Sequence, residues 1–135
     1  MRNVVAAAVV LLFAAAAAAF VAAAGQAPDQ APGRQTVPAP IDELDVRVAE
    51  SMPPRYFLRL VAGLPSGCAE RARHEVSRQG DSITVTVLNW MPSGDVMCTM
   101  IYGTYELNID LGTDFVPGRS YTVRVNDRST TFTAQ

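Results

Sequence analysis

Short runs in which apolar and polar residues alternate, separated by Pro, Gly and Asn-Asp turns, recur from residue 41 onward. In the clearest run, Ser82 to Leu88, the apolar residues Ile83, Val85 and Val87 alternate with threonines. A period of two places the apolar side chains on one face of a strand, and β-branched residues favour extended backbone. The pattern therefore predicts an all-β domain.

Seven segments read as strands, bounded by breaks such as Pro53-Pro54, Gln79-Gly80-Asp81 and Pro117-Gly118. The predicted strands are residues 44–49, 55–63, 69–78, 82–88, 98–111, 121–125 and 130–134. In the third of them Ala72, His74 and Val76 are expected to face the core. Seven short strands with a turn about every ten residues are typical of a β-sandwich.

The first 24 residues predict export. One basic residue, Arg2, precedes 21 uninterrupted apolar residues from Val4 to Ala24, and the last three alanines satisfy the small-x-small rule of signal peptidase. We expect residues 1–24 to be a cleaved signal peptide and the protein to be secreted or periplasmic. A run of this length can also span a bilayer, so the alternative is an uncleaved anchor at residues 4–24 with the domain outside the cytoplasm.

Residues 25–40 are rich in Pro, Gln, Ala and Gly, a composition that predicts a flexible linker. The β-sandwich is then expected over residues 41–135. The formal net charge of −2, with no basic stripe, gives no reason to expect nucleic acid as a partner. The acidic pairs lack the dense spacing of a calcium loop and there is one His, so no metal or cofactor is predicted.

Cys68 and Cys98 are the only cysteines, and in an exported chain they are expected to pair. Closing a loop of this size stabilises a domain by about 3.5 kcal/mol in the loop-entropy model. His74 has no Ser, Cys or Thr in a nucleophile-elbow context, so the sequence predicts a protein that is not an enzyme.

Apolar residues stand where a loop should be polar, in the segment Asn89 to Met97. Trp90, Met91 and Met97 are the candidate binding residues of this loop, since Trp and Met are enriched in interface cores. The alternative interpretation is that Trp90 folds back and caps the core. A second candidate is the loop at residues 52–55.

The stretch LGTDFVPGRSYTVRVND, Leu111 to Asp127, resembles the end of fibronectin type III and bacterial immunoglobulin-like domains. The resemblance implies a seven-stranded immunoglobulin-like sandwich in which Tyr121 is the corner tyrosine. With GLPSGC and CTMIYGTYE, the chain also resembles small exported bacterial domains of uncharacterised function. Cys68 and Cys98 lie only 30 residues apart, so the disulfide pin of antibody domains is not implied.

The sequence thus predicts an exported, non-enzymatic immunoglobulin-like module with a binding or structural role. Its expected partner is an extracellular or envelope protein, with membrane contact only if the N-terminal segment stays uncleaved. Two alternatives remain open. One is an inhibitor of an extracellular hydrolase that presents a disulfide-anchored apolar loop, and the other is a membrane-anchored accessory domain of the cell envelope.

Overall fold

The computed structural model describes residues 33–135, which form eight β-strands in two sheets and no helix. The prediction of an all-β domain is confirmed. The predicted signal segment, residues 1–24, lies outside the described residues, as do residues 25–32 of the predicted linker. The strands are β1 (Arg34–Pro38), β2 (Ile41–Ala49), β3 (Arg55–Leu64), β4 (Glu70–Gln79), β5 (Ser82–Pro92), β6 (Gly103–Gly112), β7 (Ser120–Val125) and β8 (Arg128–Thr133).

The strand count exceeds the predicted seven because β1 lies in the segment predicted to be linker. It pairs antiparallel with β5, from Arg34 opposite Pro92 to Pro38 opposite Leu88. Ala39, the next residue, is buried in the core. Residues 34–40 therefore belong to the sandwich. No residue of β1 is fully buried, and a strand covered only partly on both faces carries little apolar alternation to reveal it.

One sheet has the order β2-β3-β6 and is antiparallel throughout. The other is built around β5, with β4 antiparallel along one edge. The opposite edge of β5 is shared: β7 pairs in parallel with residues 82–85, and β1 pairs antiparallel with residues 88–92. β8 continues this sheet beyond β7.

Asn126 joins the two strands that share this edge. Its amide nitrogen donates to the carbonyls of Ala39 (2.7 Å) and Val87 (2.9 Å), and its amide oxygen accepts from the Val87 N–H at 3.0 Å. The residue has a φ of 50°, a left-handed conformation that Asn tolerates better than most residues. The Asn126 side chain thus forms hydrogen bonds to β5 at residue 87, between the stretch that pairs with β7 and the stretch that pairs with β1.

The core lies between the two sheets and consists of the apolar residues of the alternating runs. Leu58 and Leu60 of β3 and Val85 and Val87 of β5 have no exposed surface, and Val123 of β7 joins them. At one end of the sandwich, five further side chains close the space between the sheets. They are Tyr56, Phe115, Tyr121, Phe132 and Ala134.

The Tyr121 hydroxyl accepts a hydrogen bond from the backbone N–H of Val116, five residues upstream, at 2.8 Å. The resemblance to immunoglobulin-like domains assigns this contact to a corner tyrosine. The Tyr121 ring is 1% exposed and packs edge-on against Phe115 at 4.9 Å. The turn before β7 is therefore tied to the closed end of the core.

The orientation expected for β4 is not matched by burial. Val76 is 47% exposed, and Ala72 and His74 are only half-buried. β4 is the outermost strand of the larger sheet, and its register slips between Arg71 and Arg73. β4 belongs to the five-stranded sheet, and the sheet that faces it has only three strands. The smaller sheet therefore covers the edge strand β4 less completely.

Charged residues cover the outer face of the three-stranded sheet. Arg59 on the middle strand reaches Glu43 on one neighbour (3.2 Å) and Glu106 on the other (2.8 Å). Arg55 forms a bidentate ion pair with Asp110, whose carboxylate also accepts a hydrogen bond from the Gly112 N–H. The Arg55 guanidinium and then the Gly112 N–H lower the pKa of Asp110 below its ordinary value of 3.8.

This pair predicts a loss of stability in acid. A carboxyl whose pKa is lowered by folding stabilises the domain above its unfolded pKa, and that contribution is lost as the pH falls through the folded value. We expect the urea midpoint of the wild type to drop below about pH 4, and Asp110→Asn to flatten that part of the curve. Asp127 makes no ion pair within residues 33–135, so Asp127→Asn is the control. Equal pH dependence in all three proteins would contradict the assignment.

Candidate binding loop

A ten-residue connection between β5 and β6, residues 93–102, carries five of the nine large apolar side chains that are exposed in residues 33–135. We call it the anchored loop. Its exposed apolar side chains are Val96 (58%), Met97 (100%), Met100 (88%), Ile101 (70%) and Tyr102 (51%). Soluble monomers rarely present large contiguous apolar patches, and those that do usually use them for binding.

The anchored loop is fixed to the segment between β3 and β4. The Cys68–Cys98 disulfide, predicted from the sequence, is confirmed, with a Cα–Cα distance of 5.5 Å. Beside it, the Gly67 N–H donates to the Thr99 carbonyl at 2.8 Å. A covalent bond and a backbone hydrogen bond thus hold the middle of the loop.

Two glycines allow the loop to lie directly on the body of the domain. A Cβ at Gly67 would come within 2.0 Å of the Thr99 hydroxyl, and a Cβ at Gly63 within 1.8 Å of the Tyr102 hydroxyl. The Tyr102 hydroxyl also donates to the Asp42 carboxylate at 2.9 Å, a bond that raises the pKa of the phenol. The end of the loop is therefore also held against the body of the domain.

A buried amide supports the base of the loop from below. Asn89 is completely buried in β5, where its amide nitrogen donates to the Gly63 carbonyl at 2.8 Å. Its amide oxygen accepts from the Tyr105 hydroxyl at 2.7 Å. Gly63 lies at the end of β3 and Tyr105 at the beginning of β6, so this one side chain connects the strands on both sides of the anchored loop.

The comparisons with known proteins identify the family of this domain. A family model described as the ORF11 β-sandwich domain matches residues 58–134, which include both cysteines and the whole anchored loop. The chain belongs to the ORF11 β-sandwich domain family. It is also similar to a Herpetosiphon aurantiacus protein described as an uncharacterised 10.2 kDa protein in the HgiCIIM 5′ region. The two are 30% identical over 87 residues, 64% of this chain and 90% of that protein. No solved structure matches the chain.

The ORF11 domain places the predicted binding residues differently from the sequence interpretation. Trp90 and Met91 belong to β5, which continues to Pro92, so only Met97 of the three predicted residues lies in the loop. Residues 98–102, predicted to begin a strand, are part of the loop, and β6 starts at Gly103. Met100 and Ile101 were therefore missed as surface residues, although three consecutive apolar residues before Gly103 break the alternation.

Trp90 adopts neither of the two predicted positions. It lies on the outer face of its sheet, opposite in direction to buried Val87 and Asn89, and is half-buried. The Arg34 guanidinium lies 5.4 Å from the centre of its ring, a cation–π contact. Strand pairing with β1, which the sequence interpretation omitted, covers Trp90 and removes it from the exposed loop.

The remaining candidate residues of the ORF11 domain form no further site. The side chain of His74, which lies in the β4–β5 ladder, makes no hydrogen bond to another described residue. Residues 33–135 contain no cluster of three or more metal-ligating side chains, and no helix in that range is long and apolar enough to cross a membrane. Met52, in the second predicted loop, is 98% exposed but lies before β3, a full ten-residue strand away from the anchored loop.

Proposed function

We propose that this ORF11 domain is an exported, non-enzymatic binding module that contacts its partner through the anchored loop. The observation that carries the proposal is the combination of exposure and fixation. Met97, Met100 and Ile101 are each at least 70% exposed, while Cys98 between them is bonded to the body of the domain. These apolar side chains are held in water by an anchored backbone and do not pack in the core. A binding role therefore accounts for them best.

A fixed loop is also physically suited to binding. Ordering a flexible loop on association costs conformational entropy, and a loop that is already ordered avoids much of this cost. Methionine side chains are unbranched and polarisable, so they adapt to partners of different shape. The anchored loop therefore combines a rigid backbone with adaptable side chains at its tip.

The absence of enzymatic activity is part of the proposal. Catalysis by His74 would require a nucleophile and an orienting carboxylate within hydrogen-bonding distance, and His74 has no such partner within residues 33–135. It sits on the edge strand β4, where its neighbour across the register is the apolar Val87. These features support a structural His on a binding scaffold.

We also propose that the sandwich is a variant of the immunoglobulin-like type. The Tyr121–Val116 hydrogen bond supports this assignment. The parallel pairing of β5 with β7 distinguishes it from immunoglobulin domains, whose two sheets are antiparallel. In this type of scaffold, binding is a property of the loops at the ends of the sandwich, while the sheets hold them in place.

A second candidate function is inhibition of an extracellular hydrolase. The covalent anchoring of an exposed loop favours it, because a loop that occupies a cleft must keep its shape against the enzyme. In this candidate Met97 and Met100 occupy the cleft. It is a special case of binding through the anchored loop, so the identity of the captured partner distinguishes the two.

Photo-crosslinking in intact cells tests the proposal. The full-length gene is expressed with the photoreactive residue benzoylphenylalanine in place of Met97 or, as a matched control, Met52. Both side chains are almost fully exposed, and they lie at opposite ends of the sandwich. We expect a discrete adduct, to a protein or a lipid, from position 97 and none from position 52. Absence of any adduct from position 97, or equal labelling from both positions, would refute the proposed function.

A further inference from the structure

The N-terminal end of the described chain lies beside the anchored loop. The Gly33 carbonyl accepts a hydrogen bond from the Ser93 N–H at 3.1 Å, and Ser93 is the first residue of the loop. The next residue, Arg34, pairs with Pro92 at the end of β5. The polypeptide that connects to the apolar segment at residues 4–24 therefore leaves the sandwich at the end that carries the exposed methionines.

The connection between these two parts is short. Ala24 and Gly33 are nine residues apart in the sequence, and nine residues span at most about 32 Å when fully extended. When residues 4–24 occupy a bilayer, their short tether is therefore attached at the end of the domain that carries the anchored loop. The closed aromatic end, with Tyr56 and Tyr121, lies at the far end of β3.

We propose that the partner of the anchored loop is the surface of the lipid bilayer. This inference rests on the proposed function and specifies its ligand. In this arrangement residues 4–24 stay attached as an uncleaved anchor, the alternative to the expected cleavage, and Met97, Met100 and Ile101 enter the boundary between headgroups and acyl chains. One membrane attachment fixes the chain to the bilayer, and the loop is a second contact that fixes the orientation of the domain.

The side chains around the loop match the chemistry of that boundary. Behind the exposed tips lie two amphipathic rings, Trp90 over Arg34 and Tyr102 bonded to Asp42, and such rings favour the membrane–water interface. Asp95 is the only charged residue of the loop. The loop itself therefore offers no cation to anionic lipids, and its contact with neutral phosphatidylcholine is expected to be insensitive to salt.

The single tryptophan provides an internal probe. Trp90 is the only Trp in the chain and lies just before the loop. The full-length chain, made by cell-free synthesis under oxidising conditions with residues 1–24 retained, is inserted into phosphatidylcholine vesicles. Half of the preparations carry bromine on the acyl chains near the headgroups, which quenches tryptophan at short range. We expect Trp90 emission to fall about twofold in brominated vesicles, because the ring lies at the interface.

Loop variants show whether the apolar tips cause this contact. Met97→Asp combined with Met100→Asp is expected to abolish most of the quenching, whereas Met52→Asp at the opposite end should leave it unchanged. Both loop methionines are at least 88% exposed, so the variants should keep the wild-type thermal midpoint, which is measured in parallel. Absence of quenching in the wild type, or equal quenching in the loop variant and the control, would overturn the inference.

The two proposals can fail separately. A protein adduct from position 97 in cells, together with no quenching of Trp90 in vesicles, would refute the bilayer as ligand and leave a protein-binding loop. A lipid adduct with loop-dependent quenching would support both proposals.

Discussion

Replacing both cysteines with serine is expected to lower the free energy of unfolding by about 3.5 kcal/mol. The Cys68–Cys98 bond closes a loop with a sequence separation of 30 residues, and its main effect is to reduce the conformational entropy of the unfolded chain. A domain of about 100 residues is only marginally stable, so this is a large share of its total stability. Urea denaturation of Cys68→Ser/Cys98→Ser, followed by far-ultraviolet circular dichroism, measures the change.

Reduction of the wild type provides the matched control for this prediction. Dithiothreitol should shift the wild-type midpoint toward that of the double variant and leave the variant itself unchanged. Limited proteolysis should then find new cleavage within residues 93–102, because only noncovalent anchors remain, the Gly67–Thr99 hydrogen bond and the Tyr102–Asp42 bond. A wild-type midpoint that does not respond to reduction would show that the bond adds nothing to stability.

The strands that form the core could be predicted because each has one buried face. In β5, Ile83, Val85 and Val87 point into the space between the sheets, and their alternation with threonine is visible in the sequence. The pairing of these strands could not be predicted in the same way. The parallel contact between β5 and β7 and the shared edge of β5 depend on long-range packing and on the hydrogen bonds of Asn126.

The apolar character of the candidate site was also visible in the sequence, but its boundaries were not. Composition indicates that Met97 is unusual for a loop, yet it cannot show that Trp90 is covered by a strand that looks like linker. The contact of Tyr102 with Gly63 joins residues almost forty positions apart. Only the folded arrangement shows why small residues precede Cys68: the anchored loop lies against them.

Changing Asn89 to aspartate tests whether the site and the core are one cooperative unit. Asn89 has no exposed surface and uses its amide nitrogen as donor to Gly63 and its oxygen as acceptor from Tyr105. A carboxylate keeps the shape and the acceptor but loses the donor, and it buries a charge. We expect Asn89→Asp to lower the free energy of unfolding by about 3 kcal/mol at pH 7. Asn108→Asp, on the exposed face of β6, is the matched control and should have little effect.

The pH dependence distinguishes a buried charge from simple misfolding. Burial raises the pKa of a carboxyl above its unfolded value, so the penalty is absent below the unfolded pKa and develops as the pH rises above about 4. In the Asn89→Asp variant, a protonated carboxyl can donate to Gly63 and accept from Tyr105, much as the native amide does. The difference in stability between this variant and wild type should therefore shrink between pH 7 and pH 4. A difference that is the same at both values would mean that no charge is buried at position 89, and that the loss of stability in the variant has another cause.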